Sequence, residues 1–64
     1  MTFGTVKWFN DENGFGIITS DLGPDLFVRQ AEVDEGKALH RDQRVAFDRV
    51  DSPKGPAAQN VRPQ

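Results

Sequence analysis

The chain has 64 residues, no cysteine, and ten acidic side chains against eight basic ones. That length holds one domain, which buries only ~60% of the surface its unfolded chain exposes, so its stability is marginal. Disulfide staples, thiolate zinc sites and cysteine nucleophiles are excluded, and no apolar run nears the ~18 residues that cross a bilayer.

Period-two alternation broken by turn residues dominates the chain, and no long stretch keeps a 3.6-residue apolar period. Phe3 to Asn10 reads as a first strand, rich in β-formers. Asp11-Glu12-Asn13-Gly14 is a turn, since Asn and Gly tolerate the positive φ of a tight hairpin. Phe15 to Ser20 is a second strand. Asp21-Leu22-Gly23-Pro24 turns the chain into a short third strand, Asp25 to Arg29. Gln30 to Gln43 has no clean period and reads as a helical turn near Ala31–Val33 followed by a polar loop. Arg44 to Val50 is a fourth strand. Ser52 to Pro56 is a loop with two prolines, and Ala57 to Arg62 is a fifth strand ended by Pro63. Five short strands with turns between them suggest a small antiparallel barrel or sandwich in a single domain, residues 1–64. With no charged-then-apolar leader, the expected location is the cytoplasm, away from membranes.

Strand side chains alternate between faces. If Ile18, Leu26 and Val28 line the core, then Phe15, Ile17 and Phe27 point outward, with Arg29 beside Phe27. Val6 then points inward and Lys7 outward, while Trp8 and Phe9 cannot both be buried in a regular strand. A small core wants every aromatic, yet this sequence puts at least two of its five Phe, and Trp8, on the solvent side. An exposed apolar patch marks a binding site. Flat rings beside cations suit unpaired bases, which stack at ~1–3 kcal/mol each. Two other readings stay open at this point. Phe15 and Phe27 are core residues in one, with three aliphatics exposed; in the other the patch anchors a protein partner.

The motifs carry a resemblance. Gly4-Thr5-Val6-Lys7-Trp8-Phe9-Asn10, followed by Asn13-Gly14-Phe15-Gly16-Ile17-Ile18, resembles the opening of bacterial cold-shock proteins. Leu26-Phe27-Val28-Arg29 is similar to that family's second ribonucleoprotein-type motif, and Lys54-Gly55-Pro56-Ala57-Ala58 with Asn60-Val61 to its last loop and strand. The resemblance spans essentially the whole chain. It implies a five-stranded antiparallel OB-type β-barrel that binds single-stranded RNA or DNA on the sheet face of its first three strands, as RNA chaperones do. It implies stacking by Trp8, Phe15 and Phe27, with Phe9 half-buried in support. Lys7 becomes a phosphate contact. Asn10 and Asp25 stand where a base edge can be hydrogen-bonded, although Asp25 serves equally well in a turn. Gly14 and Gly16 suit the hairpin and close strand packing. Lys54 and Pro56 bring a cation and a flat ring to the strand.

Departures from the family pattern point to a weaker binder. Asn13 replaces a lysine, Ile17 and Gln30 replace phenylalanines, and Arg29 replaces a histidine. The loop after Gln30 is about two residues short, with Lys37 and Ala38 where an aromatic often lies. Arg29 can stack and pair with phosphate at once. Lys7, Arg29, Lys37 and Lys54 border the expected face, but Asp11, Glu12 and Asp25 lie near it. Two or three phosphate contacts give a slope of log affinity on log salt of roughly −1.5 to −2.

Catalysis finds little support. The lone histidine, His40, sits in a polar loop, and no nucleophile occupies a recognisable elbow. His40 with Asp42 lacks further soft ligands for a metal. Gly14-Phe15-Gly16 is no phosphate loop. No cofactor is expected. The expected state is a monomer, with a homodimer through the exposed face or a strand edge as the alternative. The rival function is a diverged OB-type barrel that binds protein and has weak or lost nucleic-acid binding.

Overall fold

The computed structural model describes residues 2–64. Five strands, β1 (Thr2–Asn10), β2 (Phe15–Ser20), β3 (Leu26–Arg29), β4 (Arg44–Ser52) and β5 (Gly55–Pro63), close into a barrel in the order β1-β2-β3-β5-β4. Four of the pairings are antiparallel. The fifth, between β3 and β5, is parallel, with Phe27 opposite Ala57. The five-stranded OB-type barrel expected from the turns and motifs is present, and this short seam is its one departure from antiparallel pairing. A hairpin turn forces its own two strands antiparallel, but the seam that closes the barrel joins strands distant in sequence, and no turn sets its direction.

The strand limits also shift. Asp25 stays outside β3, and the expected loop from Ser52 to Pro56 shrinks to a two-residue turn, Pro53-Lys54. Ser52 Oγ donates to the Gly55 carbonyl at 2.6 Å, and Gly55 has φ +119°. Both features let β4 and β5 pair up to the turn. Pro63 is the last residue of β5, opposite Val45, at a strand end, where its missing N–H is tolerated.

Alternation places the core as expected. Val6, Ile18, Leu26, Val28, Val45, Phe47, Ala58 and Val61 are buried along the strands. Each large one contributes about 1.5–3 kcal/mol of burial relative to exposure. The segment between β3 and β4 is less polar than its composition suggests. Two short 3₁₀ turns, Gln30–Glu32 and Asp34–Gly36, bring Val33 into the core, and Leu39 follows at 2% exposure. Val33 bridges to Val61 in β5. Asp42 N–H donates to the Val6 carbonyl at 2.8 Å, and Val6 N–H donates to the Gln43 carbonyl at 2.9 Å, so the segment also seals one edge of β1.

A bulge in β1 sets which side chains face outward. Val6 pairs with Ile18 but Trp8 pairs with Ile17, leaving Lys7 as the extra residue. An extra residue shifts the alternation by one. Lys7 and Trp8 therefore both point outward, and Phe9 turns inward to pack half-buried against the core. Gly16 makes room for this. A Cβ there would meet the Trp8 carbonyl oxygen and, at 2.8 Å, the Phe9 Cα.

Candidate nucleic-acid interface

Two cross-strand rows build the outer face of β1, β2 and β3. Trp8, Ile17, Phe27 and Ala57 lie in register across four strands, and Asn10, Phe15 and Arg29 form the row beside them. Trp8 is 41% exposed and Phe27 37%. The reading that buries Phe27 is thereby overturned, and Phe15, beside it, is half-buried on the same outer face.

The rings are linked to one another through Phe15. Phe15 and Phe27 are stacked with centroids 5.7 Å apart and planes 24° from parallel. Trp8 meets Phe15 edge-on at 5.7 Å and 77°. The Arg29 guanidinium carbon stands 5.7 Å from the Phe27 centroid, extending the platform with a planar cation. Edge-to-face and offset contacts of this kind are the preferred aromatic geometries. They hold each ring in place from one side and leave part of it to solvent.

Beyond Phe27 the platform opens into a cleft of about 410 Å³, where Phe27 and Arg29 meet Lys54 and Pro56 of the β4–β5 hairpin. The short turn and the parallel seam bring these residues together, because Pro56 directly precedes Ala57, the residue opposite Phe27. Glu32, Val50 and Gln59 also line the cleft. The sequence reading missed these three. Glu32 sits in an aperiodic turn, and Val50 and Gln59 reach the cleft only through the β4–β5 pairing, so alternation carried no signal for them.

Charges on this face are unevenly free. Lys7 Nζ lies 3.3 Å from Asp25 Oδ2, so this expected phosphate contact is shared with a carboxylate, and Asp25 is tied to it. Lys37 is bound to Glu35 at 3.0 Å, and that hydrogen bond, with the Glu35 charge, raises its pKa above the usual lysine value. Lys37 lines a separate recess with His40 and Pro63, away from Phe27. Arg29 and Lys54 have no carboxylate partner among the described residues.

The remaining residues have local duties. Asn10 Oδ1 accepts from the Glu12 and Asn13 N–H groups at 3.0 and 3.1 Å, so its carbonyl holds the β1–β2 turn. Gly14, with φ +71°, completes that turn. Gln30 Nε2 donates to the Gly36 carbonyl at 2.8 Å, drawing the short β3–β4 segment tight rather than offering a ring to solvent. His40 is exposed. The described residues hold no cluster of metal-binding side chains, and no helix among them is long and apolar enough to cross a membrane.

Known proteins resemble this chain over its whole length. The family described as the 'Cold-shock' DNA-binding domain matches residues 2–64. This chain belongs to the cold-shock domain family. It is 47% identical to cold shock protein 1 of Lactiplantibacillus plantarum over 66 aligned positions that cover all of both chains. It is 46% identical to cold shock protein ScoF of Streptomyces coelicolor, covering 98% of each. A cold shock-like protein of Aquifex aeolicus is 48% identical, over 97% of this chain and 94% of that one. Cold-shock domains are nucleic-acid-binding, non-enzymatic barrels, and the exposed ring platform of this one lies on the open outer face of its sheet.

Proposed function

We propose that this cold-shock domain, acting as a single domain, binds single-stranded RNA or DNA by stacking unpaired bases along Trp8, Phe15 and Phe27. Arg29 and Lys54 take the phosphates, and Lys7 joins when Asp25 releases it. The observation that supports this reading is the ring platform itself: three aromatics linked through Phe15, with the outermost rings about 40% exposed in a barrel whose core needs apolar side chains. Bases stack on such faces at ~1–3 kcal/mol each without regard to sequence.

A protein that binds single strands and not duplexes shifts the melting equilibrium by mass action. Modest affinity is enough to hold weak secondary structure open, which is the work of an RNA chaperone. Ile17 lies in register between Trp8 and Phe27. It gives the platform an aliphatic gap, so binding is weaker than an unbroken aromatic row provides.

A titration of Trp8 fluorescence with pyrimidine-rich hexamers tests the reading. Stacking on the indole predicts saturable quenching by single strands and none by the matching duplex. Silence towards both strands and duplex at high micromolar concentration and low salt overturns it, and turns attention to a protein partner for the same rings.

A further inference from the structure

The cleft beside Phe27 combines two kinds of charge with different consequences. Of the eight lysines and arginines, Lys7, Lys37, Arg44 and Arg49 are within ion-pair distance of a carboxylate. Two of the others, Arg29 and Lys54, converge on this cleft. A carboxylate, Glu32, lines it with them and has no ion-pair partner among the described residues. An unpaired carboxylate at a phosphate-binding face costs affinity unless the bound strand supplies hydrogen-bond donors.

The position of Glu32 is fixed by its neighbours. Gln30 N–H donates to the Gly14 carbonyl at 2.8 Å, Val33 N–H to the Gln30 carbonyl at 3.1 Å, and the Gln30 side chain to the Gly36 carbonyl at 2.8 Å. The turn that carries Glu32 is thus pinned at both ends, and Val33 anchors it in the core. Little ordering remains to be done when a ligand arrives, which favours specific recognition.

We propose that Glu32 selects guanine in this cleft. An ionised carboxylate only accepts hydrogen bonds, through two oxygens. Guanine is the base whose Watson–Crick edge offers two adjacent donors, the ring N1–H and the amino group; adenine, thymine and uracil pair a donor with an acceptor there. That edge is open in a single strand, where proteins read it directly. The charges also orient the nucleotide. Arg29 and Lys54 draw the phosphates, Glu32 repels them, and the base goes to Glu32 with its face towards Phe27. Ser52 Oγ donates its proton to the Gly55 carbonyl and keeps only acceptor capacity, leaving Gln59 as the neutral side chain of the cleft free to donate as well as accept. This inference rests on the single-strand reading above.

The test uses a thymidine DNA heptamer and variants with guanine, hypoxanthine or adenine at each position in turn, titrated by calorimetry at fixed salt. Guanine at one position tightens binding roughly tenfold over thymine, the size of a good bidentate contact. Hypoxanthine, which lacks the amino group, retains only part of that gain, and adenine none. Glu32→Gln erases the guanine preference and slightly tightens binding of the plain thymidine heptamer, because a negative charge near the phosphates is gone. Asp34→Asn removes the same charge from a neighbouring position outside the cleft and keeps the preference. A wild-type protein without guanine preference, or a Glu32→Gln variant that retains it, overturns the proposal while the single-strand reading stands. Failure of the plain heptamer to bind at all overturns both.

Discussion

The Phe15 and Phe27 rings are stacked 5.7 Å apart across the β2–β3 ladder, and the Arg29 guanidinium carbon stands at the same distance from the Phe27 centroid. Phe27 is therefore the joint between the aromatic platform and the cationic cleft. It lies outside the buried core. Phe27→Ala is expected to weaken hexamer binding by about 1–3 kcal/mol and to leave the barrel folded. Titration of Trp8 fluorescence, alongside a thermal melt of the variant, measures both. An unchanged affinity removes Phe27 from the interface.

Asp21 and Arg44 form the best-made ion pair of the molecule. Two parallel hydrogen bonds of 2.9 and 2.8 Å join them, and Arg44 also donates to Thr5 Oγ1 at 3.1 Å. The Arg44 hydrogen bond holds the Asp21 carboxyl below its usual pKa. A carboxylate with a depressed folded value stabilises the fold above its unfolded pKa, and that contribution disappears as pH falls through the folded value. The pair is exposed, so the effect is small. Thermal melts of wild type and Asp21→Asn are expected to differ above the ordinary carboxylate pKa of about 4 and to converge as pH falls through the lower folded value. A gap that persists unchanged in acid assigns the difference to something other than this titration.

Leu39 lies at 2% exposure between exposed His40 and half-buried Ala38. Leu39→Ala is expected to cost about 2–5 kcal/mol, a large share of what a domain this small has. Urea unfolding measures it, and a loss below about 1 kcal/mol makes the segment a dispensable loop.

Leu39 also shows where the sequence stopped being readable. Burial along a strand leaves a period of two, and Ile18, Leu26 and Val28 were legible for that reason. A segment of 3₁₀ turns and irregular chain buries single residues at no fixed spacing, so Leu39 and Glu32 left no pattern. The β1 bulge was half legible: adjacent Trp8 and Phe9 could not both go inward, but only the pairing identifies Lys7 as the extra residue. The parallel β3–β5 seam left no trace in the turns, because it joins strands that no hairpin connects. The exposed rings were legible through alternation and their motifs, whereas the ion pairs that occupy Lys7 and Lys37 depend on the rotamers of long exposed side chains.

Gly16 is the tightest backbone approach in the barrel. An added Cβ would press on the Trp8 carbonyl, the Phe9 Cα and, at 2.8 Å, the Phe9 ring. Two of these are backbone atoms, which cannot swing aside. Gly16→Ala is expected to lower stability by about 1–3 kcal/mol, the usual cost of overpacking. It should also blunt Trp8 quenching by disturbing the bulge that presents the indole. A stable variant with normal quenching refutes the close-packing role.

The salt dependence of binding distinguishes free cations from occupied ones. Lys7 is held at 3.3 Å by Asp25, while Arg29 and Lys54 have no acidic partner among the described residues. Each phosphate contact to a single strand contributes about −0.7 to the slope of log affinity on log salt, so two free cations give a slope near −1.5. Lys54→Gln flattens it by ~0.7. Asp25→Asn acts in the opposite direction: it releases Lys7 to the backbone and steepens the slope by ~0.7, with tighter binding at low salt. Lys7→Gln in the wild-type background removes an ion that already has a partner, and its slope changes less than that of Lys54→Gln. A wild-type slope steeper than about −3 would bring in cations outside this face, with Arg41 and Arg62 the first to be replaced.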